Sequence, residues 1–399
     1  MPYKILVVED EPDWESVIRQ KFKKQISLKE WEFIFAGNGR QALEKVKEIP
    51  GITVVLLDIN MPEMDGLTFL NQLDEVDKLT IKVIMVTAYG NMENIRKAMN
   101  EGAFDFLIKP IEFKDLEITI NKALNQVKII KAALKSQNEL NELNKELEIA
   151  SRIQESMLPG KASRFPPHKE FDIFAQMIPA KKIGGDFYDF FLVDEDRLAI
   201  AVGDVKGKGI SAALYMVKAC TLLKTTALRF INPGECLLKL HKLLISEKKE
   251  DSDCSVTLFY GVLNIKTGMM QYACAGLPAP FIVYADGKVE QLPQVGGITP
   301  GYYLEGINID YEVEKIHLQK GDTIICCTDG VTDAENPGGK QFAGEKQRLL
   351  NSLQGANNIS LEKITTGLIS KIREFVSGAP QTDDITILAL RCNLDTKGL

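Results

Sequence analysis

Two groups of acidic residues are the places in this sequence where side chains could do chemistry. In the first third, Glu9 and Asp10 close the apolar run Ile5–Val8 and Asp58 closes Val54–Leu57. Thr87 follows Val83–Val86, and Lys109 follows Phe104–Ile108 just before Pro110. In the second half, four acidic motifs sit beside glycine or a second aspartate at the edges of apolar runs. They are Gly184-Gly185-Asp186-Phe187-Tyr188-Asp189, Gly203-Asp204-Val205-Lys206-Gly207-Lys208-Gly209, Thr328-Asp329-Gly330 and Gln381-Thr382-Asp383-Asp384-Ile385-Thr386. The three histidines (His168, His241, His317) lie far apart and the seven cysteines have no CxxC spacing. A metal site must therefore be built from carboxylates, which favour hard cations.

Carboxylates brought together without a cation repel one another, and divalent ions relieve that repulsion. In the first group, Mg²⁺ with open water positions would leave Asp58 free to act as a nucleophile toward a phosphoryl group, forming an acyl phosphate. Lys109 would pair with the phosphoryl oxygens and the Thr87 hydroxyl would hydrogen-bond one of them. In the second group, two divalent cations would lower the pKa of a water between them. Such a site hydrolyses phosphoesters with no covalent intermediate and no catalytic Cys or His. The competing reading is turn chemistry, because Asp-Gly is a common hairpin signal; Asp189 and Asp322 are read that way. Cys326 and Cys327 read as small core residues, and Lys181 and Lys182 as solvated charge.

The elements that must position these residues change along the chain. Over residues 1–110, five short apolar runs (the fifth Phe104–Ile108, the second Phe33–Ala36) alternate with helical stretches at Trp14–Gln25, Gln41–Glu48, Leu67–Leu73 and Met92–Asn100. Five strands with intervening helices predict a parallel α/β sheet, in which functional groups gather at the carboxyl ends of the strands. From Ile111 to Leu158 the chain holds neither Gly nor Pro. Phe113, Leu116, Ile120, Ala123, Val127, Ile130, Leu134, Leu140, Leu143, Leu147, Ala150 and Met157 keep a heptad that slips near Gln137. This predicts one continuous helix, in a two-stranded coiled coil or packed on its own domains, ended by Pro159-Gly160. Beyond it, strand-like runs recur at Phe171–Met177, Phe187–Leu192, Leu198–Val202, Val256–Asn264, Met270–Ala273, Phe281–Tyr284, Thr323–Cys327 and Ile385–Leu390. Helices at Ile210–Phe230, Glu235–Ser246 and Leu361–Val376 interrupt them, which predicts an α+β domain.

Residues 1 to about 122 resemble the response-regulator receiver domain, on Val8-Glu9-Asp10-Glu11, Asp58-Ile59-Asn60-Met61-Pro62-Glu63-Met64-Asp65-Gly66, Thr87-Ala88 and Lys109-Pro110. The resemblance implies a flavodoxin-like five-stranded sheet and Asp58 as phosphoacceptor, with Glu9, Asp10, Asp58 and the Asn60 carbonyl around Mg²⁺. It also implies Thr87, Phe106 and Lys109 as the switch and a sensor histidine kinase as partner. Residues of roughly 160–393 resemble PP2C-type protein phosphatases, specifically the bacterial branch that regulates stress sigma factors and sporulation. Here the acidic motifs are joined by Leu258-Phe259-Tyr260-Gly261-Val262, Tyr272-Ala273-Cys274-Ala275-Gly276 and Gly321-Asp322. That resemblance implies a β-sandwich flanked by helices and two Mn²⁺ or Mg²⁺ ions. They would be held by Asp186, Asp204 (bridging), the Val205 carbonyl, Asp329 and Asp383 rather than Asp384. It implies phosphoserine or phosphothreonine protein as substrate, with a phosphorylated anti-sigma-factor antagonist as the family's choice. Lys206, Leu277, Ile298-Thr299-Pro300-Gly301 and Asp333 depart from the branch's usual pattern without removing an implied ligand.

The 399 residues are 45% hydrophobic and 26% charged, which suits a multidomain globular chain. Lys plus Arg total 48 against 55 Asp plus Glu, a net charge of −7 with no basic block. Nucleic acid and anionic membranes are disfavoured as partners. No apolar run is long enough to span a bilayer and the start does not read as a signal peptide, so a cytoplasmic location is expected. The expectation is thus a receiver at 1–122, a coiled-coil helix at 113–158 that makes a homodimer, and a phosphatase domain at 160–393. The rival readings are a scaffold that binds a phosphoprotein without hydrolysing it, and a dimerisation relay or DNA-binding regulator.

Overall fold

The computed structural model describes residues 2–88, 92–160, 168–246, 254–302, 308–344 and 346–394. Two compact units divide the chain, Met1–Leu143 and Asn144–Leu399.

In the first unit, β1 (Tyr3–Val8), β2 (Trp31–Ala36), β3 (Ile52–Asp58), β4 (Lys82–Ala88) and β5 (Asp105–Lys109) form one sheet in the order β2-β1-β3-β4-β5. All four pairings are parallel. Both faces are covered, so β3 is buried along its whole length, Ile52–Asp58, as near-continuous apolar runs in parallel sheets require. Asn38 and Asp65 cap the helices Gly39–Glu48 and Gly66–Gln72 by accepting backbone N–H bonds from Gln41 and Thr68. A short helix at Glu75–Thr80 and a break between Asp13–Lys21 and Lys23–Ser27 differ from the predicted pattern.

One helix runs without interruption over Phe113–Met157, as its lack of Gly and Pro predicts. Its apolar stripe has three fates. Leu116, Ile120, Ala123 and Leu124 join the first unit's core beneath β1 and β3. Leu134, Leu140 and Leu143 remain about half exposed. Gln154, and Leu158 just past the helix, are buried in the second unit. The first turns of the heptad therefore serve the first unit's own core.

The second unit carries two five-stranded antiparallel sheets. Its strands are β6 (Phe171–Ile178), β7 (Phe187–Asp194), β8 (Arg197–Val205), β9 (Val256–Asn264), β10 (Met269–Ala275), β11 (Phe281–Val283), β12 (Val289–Gln291), β13 (Glu314–His317), β14 (Thr323–Cys327) and β15 (Ile385–Cys392). The orders are β13-β10-β9-β8-β7 and β12-β11-β14-β15-β6. One core holds residues of both sheets, among them Phe187, Ile200, Val202 and Phe259 with Ile324, Cys326, Leu388 and Leu390. The sheets therefore stack face to face as a sandwich. The helices Ile210–Ala227 and Pro233–Ser246 add Ala212, Met216, Leu223, Leu237 and Leu240 to that core. A second core lies between β14 and β15 and the helix Leu361–Val376, through Ile325, Ile387, Leu368 and Ile372. Cys326 and Cys327 are buried in β14 as free thiols. Short β12 and β13, mostly polar and partly exposed, have too little apolar signal to be read from sequence.

His241, 3% exposed on the helix Pro233–Ser246, stands edge-on to Tyr311 at 6.4 Å. Burial first, and Lys242 second, hold its pKa below the ordinary 6.5. The native state therefore binds a proton less readily than the unfolded chain, and stability falls as pH drops through the unfolded value. Thermal unfolding between about pH 7 and pH 5.5 should show Tm falling less steeply in His241→Phe than in the parent; equal slopes would contradict this assignment.

Candidate functional site

Strand register gathers the second-half aspartates. Phe187 of β7 pairs with Gly203 of β8, so the next residues outward, Asp186 and Asp204, fall opposite each other. In the facing sheet Cys327 pairs with Ile387, and the ladder continues as Thr328 N–H donates to the Thr386 carbonyl at 3.1 Å. Thr328, Asp329, Asp383 and Asp384 thus collect where β14 ends and β15 begins.

Asp186 is the most confined of these acids, at 1% exposure. Its Oδ2 accepts hydrogen bonds from the Thr328 and Thr386 hydroxyls, each at 2.7 Å. Burial, then the nearby Asp204 charge, nevertheless push its pKa well above the usual carboxylate range. Asp204 is raised to about 7, by burial first and then by Asp329 and other acids, although a hydrogen bond with Asp186 opposes the shift. Burial and then Asp383 raise Asp329. A set of acids that destabilise one another's charge is the electrostatic signature of a cation site. Among the described residues, no three of these aspartates bring ligand oxygens all within 4.8 Å of one another. Their oxygens therefore do not converge on one point in this structure. The Val205 carbonyl belongs to the same place, since a Cβ on Gly185 would stand 3.0 Å from its oxygen.

Asp383 and Asp384 have different surroundings. Asp383 lies 3.0 Å from the Lys208 ammonium. Asp384 turns inward, its Oδ1 accepting from Ala180 N–H at 2.7 Å and its Oδ2 from Gly185 N–H at 2.6 Å and Asp186 N–H at 3.3 Å. Both of its oxygens are thereby engaged in holding the segment that carries Asp186. Lys182 pairs instead with Glu148 of the long helix, at 3.0 Å. Lys208, which sequence reasoning passed over, is a cation beside the acids. Thr328 and Thr386 were missed as well, although both stand inside the acidic motifs. A cavity of about 220 Å³ adjoins Asp383, lined by Gly330, Glu335, Arg373, Gln381 and Thr382 among others.

In the first unit the register sets Asp58 beside Val86, and Thr87 and Ala88 beside Ile108 and Lys109. Ligand oxygens of Glu9, Asp10 and Asp58 lie within 4.8 Å of one another. Lys109 Nζ reaches Asp58 at 2.5 Å and Glu9 at 2.8 Å. Burial would lower the Lys109 pKa, but the bonds to Asp58 and Glu9 prevail and hold it above its ordinary value. Burial is also the main cause raising Glu9 to about 7, against the pull of Lys109. The Asn60 N–H donates to Asp58 Oδ1 at 3.0 Å. Thr87 is fully buried, its hydroxyl donating to the Ala88 carbonyl at 3.3 Å, and Phe106 packs partly buried against the sheet.

The family model for stage II sporulation protein E (SpoIIE) matches residues 194–393, and the response regulator receiver domain model matches 5–121. The chain belongs to the SpoIIE family. It carries a receiver domain ahead of a PP2C-type phosphatase domain. Phosphoserine phosphatase RsbU of Bacillus subtilis is 30% identical over 253 residues, 63% of this chain and 71% of that protein. Protein IcfG of Synechocystis sp. is 31% identical over 298 residues, 67% of this chain but only 44% of its own length. The SiaA-PP2C domain of Pseudomonas aeruginosa superposes with a TM-score of 0.55, covering 64% of this chain and 98% of that one. At 21% identity that likeness concerns the fold. Among the described residues no helix is long and apolar enough to cross a membrane.

Replacing Asp384 with Asn puts an NH₂ group where one oxygen accepts backbone N–H bonds. Hydrogen bonds to a buried carboxylate contribute roughly 1.5–3 kcal/mol, so urea unfolding should show a loss of about 2 kcal/mol or more. A stability unchanged in Asp384→Asn would mean that this carboxylate does not hold the segment.

Proposed function

We propose that this chain is a two-component response regulator in which phosphorylation of Asp58 controls a metal-dependent protein serine/threonine phosphatase. The reading is carried by one observation above all: Asp186, buried and fixed by two threonine hydroxyls, faces Asp204 across the β7–β8 register, with Asp329 and Asp383 in electrostatic reach. Asp186, Asp204, Asp329, Asp383 and the Val205 carbonyl would hold two Mn²⁺ or Mg²⁺ ions. Such ions supply Lewis-acid polarisation of phosphoryl oxygens and lower the pKa of water.

The protein's own groups do the remaining work. Thr328 and Thr386 orient Asp186, and Asp384 holds its backbone. Lys208, on a loop between two glycines of positive φ, can leave Asp383 when cations enter and offer its ammonium to the substrate's phosphate. The groove beside Asp383 accepts residues flanking the phosphorylated side chain. The relative RsbU is by name a phosphoserine phosphatase, which supports phosphoserine as the substrate group. A phosphorylated anti-sigma-factor antagonist is the protein we assign as its bearer.

In the receiver, Glu9, Asp10, Asp58 and the Asn60 carbonyl would hold Mg²⁺. Lys109 would pass from Asp58 and Glu9 to the new phosphoryl oxygens, with Thr87 and Phe106 following, and a sensor histidine kinase would supply the group. The exposed Leu134, Leu140 and Leu143 suit a homodimer formed through the long helix, in a cytoplasmic protein.

Turnover of a phosphoserine protein by the full chain should require Mn²⁺ or Mg²⁺, vanish in EDTA, and fall at least about a thousandfold in Asp204→Asn or Asp329→Asn. Binding of the phosphoprotein without metal-dependent turnover would instead establish the scaffold. Phosphoryl uptake from a small-molecule donor in Mg²⁺ should be abolished by Asp58→Asn. In the parent the same treatment should change phosphatase turnover, whereas an identical rate with and without it would remove the regulatory half of the reading.

A further inference from the structure

Gln154 is an anomaly on the long helix. The partly buried positions around it on the helix include Leu147, Ala150 and Met157, and buried Leu158 follows the helix. An amide buried at 6% exposure is expensive there unless both its polar atoms are paired. Both are. The Nε2 donates to the Gly184 carbonyl at 2.6 Å, and the Oε1 accepts from the Gly184 N–H at 3.2 Å. One side chain therefore satisfies both backbone groups of a residue that lies ahead of the β7 ladder.

Gly184 stands two residues before Asp186. Three consecutive N–H groups, those of Gly184, Gly185 and Asp186, are held by side chains: the first by Gln154 and the other two by Asp384. A Cβ on Gly184 would lie 2.5 Å from Asp384 Oδ2 and 2.8 Å from Met177 Cε, so the segment has no lateral room. Two further ties run to the same stretch, Lys182 to Glu148 at 3.0 Å and the Tyr188 hydroxyl to the Pro159 carbonyl at 3.2 Å. The exposed ion pair contributes little, which leaves the buried amide as the main polar joint. A cavity of about 300 Å³ borders Gln154 on the side of Met177, Pro179 and Tyr188, so the side chain has space to withdraw.

We infer that Gln154 is a positioning residue for Asp186. Its carboxamide makes the placement of the Asp186 carboxylate, and hence the affinity for the cation there, depend on the order of the last turns of the Phe113–Met157 helix. This rests on the metal-site reading above. A carboxylate whose support is loosened binds its ion more weakly, typically by 10- to 100-fold when a residue behind a ligand is removed.

The test is a Mn²⁺ titration of the full chain carrying Asp10→Asn and Asp58→Asn, which strips ligands from the receiver site, with free Mn²⁺ read by electron paramagnetic resonance; this chain is the parent for every variant below. Gln154→Met keeps the volume and removes both hydrogen bonds; the Mn²⁺ Kd should rise about tenfold or more. Amide exchange at Gly184–Asp186 in the metal-free chain should quicken. The comparison variant Leu158→Ala, which disturbs packing and removes neither hydrogen bond to Gly184, should lower Tm yet leave Mn²⁺ affinity within about twofold. Mn²⁺ binding unchanged in Gln154→Met, or weakened equally in Leu158→Ala, overturns the inference while the metal site stands. A parent chain that binds no Mn²⁺ overturns the metal site and the inference together. Should Gln154→Met not fold, Gln154→Asn withdraws the amide by one methylene and is held to the same criterion.

Discussion

Everything in the phosphatase half is arranged around a carboxylate that ought not to be where it is. Asp186 is buried almost completely, and a buried carboxylate without partners is among the most unfavourable groups a fold can contain. The Thr328 and Thr386 hydroxyls offset part of that penalty. They come from the opposite sheet, so the contact exists only once the sandwich has closed. Even then burial, and after it the Asp204 charge, keeps the proton affinity of Asp186 high. The chain thus brings acids together at the ends of two sheets, where their mutual repulsion is what a cation would relieve. The neighbouring pair Asp383 and Asp384 shows the same logic at one peptide's distance. Asp384 has its oxygens occupied by backbone N–H groups, whereas Asp383 faces Lys208. Adjacent identical residues are separated in role by which direction the strand points them.

The receiver meets the same constraint with an internal cation. Lys109 lies between Glu9 and Asp58 and lowers the cost of crowding them. A lysine on a flexible stem can exchange one anionic partner for another. Asp186 in the second half instead relies on rigid neighbours, namely strands, hydroxyls and the backbone-bonded Asp384 carboxylate. The difference suits a switch in the first half and a fixed site in the second.

The strand runs and the carboxylates at their ends were legible because parallel β3 is apolar throughout and because each acid terminates such a run. The helix was legible because nothing between Ile111 and Leu158 could break it. What stayed hidden depends on pairing across long sequence separations. Thr328 and Asp186 are 142 residues apart, and no local pattern announces that a threonine in one sheet will meet an aspartate in the other. Lys182 and Lys208 were indistinguishable as surface lysines until the fold put the first against Glu148 and the second against Asp383. β12 and β13 escaped because edge strands with polar, partly exposed residues carry no apolar signature.

The heptad shows why periodicity alone under-determines a helix's partners. The same spacing places Leu116 and Ile120 in the receiver core, leaves Leu140 and Leu143 half exposed, and buries Gln154 within the second unit. A seam meant only for a second helix would have no reason to bury an amide at Gln154, because leucine would pack better and need no partner. A polar residue is favoured there only if the surface it meets presents unpaired backbone, and Gly184 presents both a donor and an acceptor. The departure from the pattern is therefore the informative position. It marks where the helix stops being a linker and becomes part of the structure that supports Asp186.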